Sequence, residues 1–210
     1  CQTAIAANEV EYDEVTSPSI YVAFPLVETD ASVVIWTTTP WTLPANTFVG
    51  VDPALTYTRL RVDDGHDERS LIVAEACVDS FLEHTGLTLL ERERELTGVE
   101  LEGVAYTHPM ADTLPATPKG ADVYTIQSAP YVEADRTGLV HSAPGHGQED
   151  FARGKQLDVE VVVPVDHRGV FTEAAGPYAG TFVRDANEQI IADLDASGAL
   201  IAADKHRHRY

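Results

Sequence analysis

Cysteine, lysine and methionine are nearly missing from this 210-residue chain, which holds two cysteines and a single methionine. Cys1 and Cys77 cannot build a disulfide scaffold, so a reducing cytoplasmic setting is the simplest expectation. Cys77 falls in a helical pattern and reads as a small buried hydrophobe. Cys1 as the first residue suggests a segment cut from something longer. No apolar run approaches membrane-spanning length, and the N-terminus lacks a basic region followed by an apolar one, so neither a membrane partner nor a secretory address is expected. Also missing are a Gly-x-Ser-x-Gly elbow, a phosphate-loop Lys-Ser/Thr and an Asp-Thr-Gly pair. Gly145-His146-Gly147-Gln148-Glu149-Asp150 lacks the last glycine of a dinucleotide loop. If the chain is an enzyme, it advertises neither a nucleophile nor a cofactor.

Acid is what it has in excess. There are 34 acidic against 14 basic residues, a formal net charge of −20, and only Lys119, Lys155 and Lys205 are lysines. The acids run through every segment, as in Glu9-Val10-Glu11-Tyr12-Asp13-Glu14 and Asp63-Asp64-Gly65-His66-Asp67-Glu68. An interaction tail would concentrate them, whereas this spread looks like adaptation to high salt, where screening removes the self-repulsion. The C-terminal His206-Arg207-His208-Arg209-Tyr210 is the one basic patch, and it reads equally as a phosphate contact or as a solvated edge.

The length suits one domain with a sizeable core. Residues 1–16 read as a polar lead-in with one alternating stretch, Val10-Glu11-Tyr12. Strands are expected at Ser19–Leu26, from Val33 into the threonines, at Thr47–Val51, and as a hairpin of Thr56–Val62 with Ser70–Val73. Ala74, Cys77, Val78, Phe81 and Leu82 have the spacing of one helix face, with Gly86 as the stop. Leu87–Glu93, Glu95–Leu101, Asp122–Ile126, Gly138–His141 and Val159–Val163 are read as further strands, the last one continuous and buried. Helices are expected at Gln148–Leu157 and Asp185–Ala196, and loops at residues 107–120 and 166–180. Many short strands with few helices favour a mainly β barrel with helical decorations over a doubly wound α/β fold.

Two stretches carry the chemistry. In Val33-Val34-Ile35-Trp36-Thr37-Thr38-Thr39-Pro40-Trp41-Thr42-Leu43-Pro44-Ala45-Asn46 an apolar strand stops in three threonines, and Pro40 and Pro44 stiffen the turn beyond them. Alternation puts Thr38 opposite Thr37 and Thr39, and a buried strand rarely carries polar groups on both faces without partners. A binding role is therefore favoured over a plain strand edge, with hydroxyls and amides converging on a polar ligand between Trp36 and Trp41. In His141-Ser142-Ala143-Pro144-Gly145-His146-Gly147-Gln148-Glu149-Asp150 a strand end feeds a turn and then a helix start, which aims side chains and free amides into a cleft. The spacing of His141, His146, Glu149 and Asp150 is not that of a helical zinc site, so no metal is expected. Asp150 reads either as an ordinary first-turn helix acid or as a carboxylate for a ligand's ammonium group.

Trp36-Thr37-Thr38-Thr39-Pro40-Trp41-Thr42-Leu43-Pro44-Ala45-Asn46 resembles the threonine-rich signature of the editing domain inserted into isoleucyl-tRNA synthetases. Gly138-Leu139-Val140-His141 through Asp150-Phe151 resembles that domain's second signature, and Thr16-Ser17-Pro18-Ser19-Ile20-Tyr21-Val22 also fits. The valyl and leucyl counterparts would show Thr-Thr-Arg-Pro in place of Thr38-Thr39-Pro40-Trp41. The resemblance covers essentially the whole chain, and with the acidic composition it implies a halophilic archaeal source. It implies one editing domain over 1–210, with 1–16 and 199–210 as connecting segments, folded as a closed β-barrel with helical decorations. The implied activity is hydrolysis of valine misattached to the isoleucine tRNA, or of valyl-adenylate, by a positioned water. By the same resemblance Asp150 holds the α-ammonium, and Thr37, Thr38 and Thr39 bind the terminal adenosine and aminoacyl group. His141 walls the pocket against isoleucine, while Trp41, Asn46 and His146 shape it. The implied partners are the tRNA 3′ end carrying valine and the rest of the synthetase. No cofactor belongs to the domain itself; ATP and a zinc knuckle would belong to the parent enzyme. A module that only binds an amino acid or the tRNA end is the alternative.

Overall fold

The computed structural model describes residues 14–115 and 117–209. The lead-in through residue 13, with Cys1 and the Val10-Glu11-Tyr12 stretch, lies outside them, as do Ala116 and Tyr210. The strands are β1 (Glu14–Pro25), β2 (Ala31–Thr37), β3 (Phe48–Val51), β4 (Thr56–Asp63), β5 (Glu68–Ala74), β6 (Thr88–Thr97), β7 (Ile126–Ser128), β8 (Leu139–Ser142) and β9 (Leu200–Arg209). The helices are α1 (Val78–Thr85), α2 (Gly98–Leu101), α3 (Gln148–Gln156) and α4 (Asn187–Ala196), with 3₁₀ turns at Pro40–Ala45, Glu75–Cys77 and Glu173–Tyr178. Six strands form one sheet in the order β6-β4-β5-β2-β1-β9, and three form another in the order β7-β3-β8.

β2 sits inside the larger sheet, antiparallel to β1 and parallel to β5. Both its faces are covered, which is why its sequence is continuously apolar rather than alternating. Val33 and Ile35 join the main core with Ile20, Val22, Phe24, Val49, Ile126 and Leu139, which packs the two sheets together. Val34 faces the opposite way, into a second cluster of Tyr21, Leu60, Val62, Leu71 and Val73 closed by Val78 and Phe81 of α1. Gly86 ends α1 at φ 70°, as its position after the apolar face predicts.

The expectation of a closed barrel is not met by the strand pairing. β8 lies beside β2 but does not pair with it, and the two sheets are linked through residues 104–107 rather than by a full ladder. Val27 and Thr107 exchange backbone bonds with Ala105 and Pro25 on one side, while Tyr106 and Ile126 bond Tyr124 and Val104 on the other. Three further expectations shift. Leu87–Glu93 and Glu95–Leu101 are one strand, β6, followed by a turn of helix, because Thr97 and Glu100 form a capping box. Residues 122–124 are turn, with Tyr124 at φ 58°; Thr125 makes only an isolated bridge to Ala105, and β7 starts at Ile126. Val159–Val163 is neither a strand nor buried throughout: Val161 and Val163 are 36% and 53% exposed. Within the expected connecting segments 1–16 and 199–210, the described residues 14–16 and 200–209 belong to β1 and the edge strand β9, paired in a register that runs from Glu14↔Arg209 to Val22↔Leu200.

Candidate functional site

β8 ends at Ser142 beside β3, in register Phe48↔Ser142 and Val49↔His141, and this pairing brings the two signature stretches together. The first stretch leaves β2 through a turn that its own side chains close. Thr39 N donates to Thr37 Oγ1 at 3.1 Å, and the two hydroxyls lie 3.2 Å apart. Pro40 then starts the 3₁₀ turn at a position where no N–H is needed. Thr42 Oγ1 donates back to Thr39 O at 2.9 Å, and Trp41 N donates to Asn187 Oδ1 of α4 at 3.0 Å.

His141 joins this turn to β8. Because the Thr42 hydroxyl spends its proton on Thr39 O, it accepts from His141 Nε2–H at 2.8 Å. His141 Nδ1 accepts in turn from Asn46 Nδ2 at 3.0 Å. Asn46, 1% exposed, also donates to Phe48 O at 3.1 Å and accepts from the Tyr106 hydroxyl at 2.6 Å. Both imidazole nitrogens are thus committed in one neutral tautomer. Burial, helped by nearby His108 and His146, pulls the His141 pKa down to about 3. His108 is held alike, donating from Nε2 to Leu43 O at 3.1 Å and accepting from Met110 N at 3.0 Å, with burial lowering its pKa to about 4.

Asp150 sits in the first turn of α3 and curls back, its Oδ2 accepting from Ala143 N at 2.9 Å. Gly147 makes this fold-back feasible, since a β-carbon there would stand 2.6 Å from that same oxygen. Burial raises the Asp150 pKa, partly offset by the amide bond. A carboxylate held at a desolvation cost gains most from a ligand that brings a positive charge.

A cleft of about 390 Å³ opens over these groups, lined by Trp36, Tyr131, Arg136, His141 and Asp150 among others. Of the residues singled out from sequence, His141 and Asp150 line it, Asn46 reaches it through His141, and Trp41 packs edge-on against His146 with centroids 5.1 Å apart. Thr37 is buried, Thr38 half-buried and Thr39 exposed, and none of the three is a lining residue of the cleft. Sequence reading passed over Thr42, Tyr106 and Arg136. Thr42 stood inside the quoted stretch, while Tyr106 and Arg136 carry no local signal. Among the described residues no cluster of three or more His, Cys, Asp or Glu is placed to hold a metal, and no helix is long and apolar enough to cross a membrane.

No family model matches the chain. It is 60% identical over its whole length to an isoleucine–tRNA ligase of Haloquadratum walsbyi, and 53% identical over 97% of its length to that of Haloarcula marismortui. A relative in Archaeoglobus fulgidus is 47% identical over the whole chain. The chain spans about a fifth of the length of these curated relatives. Its fold matches GlLeuRS-CP1 with a TM-score of 0.66 at 15% identity, covering 89% of this chain and 98% of that one. It also matches the editing domain of the P. falciparum cytosolic leucyl-tRNA synthetase with a TM-score of 0.64 at 9% identity, over 89% and 98% of the two chains. Sequence and fold together make this chain a homologue of a one-fifth segment of the isoleucine–tRNA ligases, with halophilic archaeal relatives and the fold of a synthetase editing domain.

Proposed function

We propose that the chain is the editing unit of an isoleucyl-tRNA synthetase and hydrolyses valine misattached to the isoleucine tRNA. The observation that carries this reading is the cleft in which the half-buried Asp150 carboxylate and the neutral, doubly bonded His141 stand together. One methylene in an apolar pocket discriminates only about 10–200-fold, and isoleucine against valine in this enzyme class is the standard illustration of that limit. A second site that accepts valine and cuts its ester supplies the remainder.

In this reading Asp150 takes the α-ammonium, and the terminal adenosine lies toward the Thr37–Thr39 turn. His141 serves as wall rather than base: its Nδ1 lone pair is taken by Asn46, and burial, which pulls its pKa down to about 3, makes it a weak proton acceptor. A positioned water then attacks the ester carbonyl, the oxyanion being received by amides or threonine hydroxyls. No cofactor enters this scheme. Valyl-adenylate presents the same ammonium and is the second candidate substrate. With its net charge of −20 the segment repels tRNA, so the rest of the synthetase supplies most of the RNA affinity in the cytoplasm.

The test is deacylation by the full-length synthetase that contains this segment. Valyl-tRNA of the isoleucine type should be cleared while isoleucyl-tRNA persists, and His141→Ala should begin to clear the isoleucyl ester. Survival of the valyl ester at its uncatalysed rate would reduce the chain to a binding module.

A further inference from the structure

Arg136 is the one cation among the residues lining the cleft, where its charged neighbours are Glu133, Asp135, Glu149 and Asp150. It is also one of three non-glycine residues with a positive φ among the described residues, at 58°. A left-handed conformation disfavoured for a side chain-bearing residue persists only where the surroundings enforce it, and such residues gather at binding sites. Here the conformation sets the guanidinium over the Trp36 ring, 4.8 Å from its centroid, at the boundary of a second cavity of about 160 Å³ that Trp36 and Arg136 also line. His84 Nε2 stands 3.4 Å from one terminal nitrogen, and Asp135 lies 3.8 Å from Nε, beyond hydrogen-bonding distance. The side chain is 29% exposed. Arg136 is therefore held by the Trp36 ring, the His84 imidazole, the Tyr21 hydroxyl and the nearby charge of Asp135, and the rest of its five N–H donors can meet a ligand.

We infer that Arg136 is a phosphate-binding residue of the cleft, receiving the phosphate that adjoins the aminoacylated adenosine. The inference rests on the editing reading for the identity of the ligand. An ammonium gripped by Asp150 belongs to an ester of a nucleotide, and every other charge in the lining repels that nucleotide's phosphate. A guanidinium stacked on an indole keeps its donors in a fixed plane, which suits bidentate recognition of phosphate and survives in salt better than a mobile lysine would. The left-handed backbone also serves the turn that Gly138 N closes on Asp135 O, and that turn is what brings the guanidinium to the boundary of the two cavities.

The experiment compares adenosine 5′-monophosphate with adenosine, by titration calorimetry on this chain and on Arg136→Gly and Arg136→Lys. Glycine relieves the left-handed backbone, so the variant should fold, and a melting curve checks this. The wild-type chain should bind the monophosphate about tenfold more tightly than adenosine at low salt, with a preference that fades as salt rises. Arg136→Gly should bind the two alike, and Arg136→Lys should keep part of the preference. The inference is overturned if wild type shows no phosphate preference, if Arg136→Gly keeps it, or if Arg136→Gly melts early and loses adenosine equally, which would make Arg136 a structural clamp. The full-length synthetase separates this from the editing reading. Absence of valyl ester hydrolysis by wild type counts against editing, whereas hydrolysis whose KM and salt slope are unchanged in Arg136→Gly counts against the phosphate contact alone.

Discussion

The β4–β5–β6 part of the large sheet and the β3–β8 region are held together in opposite ways. On the former, long antiparallel ladders run unbroken between β4 and β5 and with two register shifts between β4 and β6, and the exposed face carries arginine–carboxylate pairs: Arg59 with Asp30 and Glu93, Arg61 with Glu91, Arg94 with Glu100. β6 guards its free edge with the alternating charges Glu91-Arg92-Glu93-Arg94-Glu95. The β3–β8 ladder spans only four residue pairs. There the irregular turn from Thr37 to Asn46 is fixed by neutral side chains, with Thr42, His141, Asn46 and Tyr106 joined in a buried chain of hydrogen bonds. A ladder satisfies its own backbone and leaves side chains free to answer solvent and salt. A turn that aims groups into a cleft must have its backbone and polar atoms satisfied from outside, and here side chains do it.

The contrast predicts unequal costs. Asn46→Leu strands the Tyr106 hydroxyl, His141 Nδ1 and the Phe48 carbonyl in the interior, so it should cost about 3 kcal/mol by chemical denaturation, the scale of two or three unsatisfied buried groups. A variant that unfolds at the wild-type midpoint would mean the chain of bonds holds little.

Acid should separate the two regions next. His108 and His141 have folded pKa values of about 4 and 3, below their ordinary 6.5, so the unfolded chain binds their protons first. The stability they contribute is present above pH 6.5 and is lost as pH falls toward those values. Asp30, lowered mainly by its bond from Arg59, and Glu100, lowered mainly by the Thr97 amide and hydroxyl and less by Arg94, lose their contribution only below their ordinary 3.8 and 4.5. Amide exchange followed from pH 6.5 to 4.5 should therefore open β3, β8 and the Pro40–Ala45 turn before β4 and β6. Simultaneous opening would refute the distinction.

Arg94→Ala is the smallest case. The pair with Glu100 is exposed, so its removal should change stability by at most about 0.5 kcal/mol, and less in concentrated salt. A larger loss would show that the surface pairs act as a network.

The same contrast governs what the sequence alone revealed. β2, the β4–β5 hairpin, α1 with its Gly86 stop and α3 were legible because periodicity and stop residues are local. Val159–Val163 misled because an apolar run is identical for a strand and for a segment lying over the Pro144–Gly145 turn, where Gly145 gives close passage to Val162 O. A closed barrel was expected because nothing in the pattern announces that strand pairing links the two sheets only through the isolated bridges Leu26–Tyr106 and Ala105–Thr125. His141 and Asp150 were legible as candidates, being chemically distinctive residues in a turn-rich stretch. Tyr106, which bonds Asn46 from 60 residues away in the chain, and Arg136, which shares the cleft lining with them, were not legible, since neither carries a local signal.

The editing proposal requires Asp150 to carry its charge, at a desolvation cost to the fold, so that it can hold a ligand's ammonium. Asp150→Asn measures it, because the amide oxygen can still accept from Ala143 N while the charge is gone. In the full-length synthetase the variant should clear valyl-tRNA about a hundredfold more slowly, the scale of one lost charge-assisted bond, while this chain carrying it melts no lower than wild type at neutral pH. Wild-type clearance by Asp150→Asn would contradict the account.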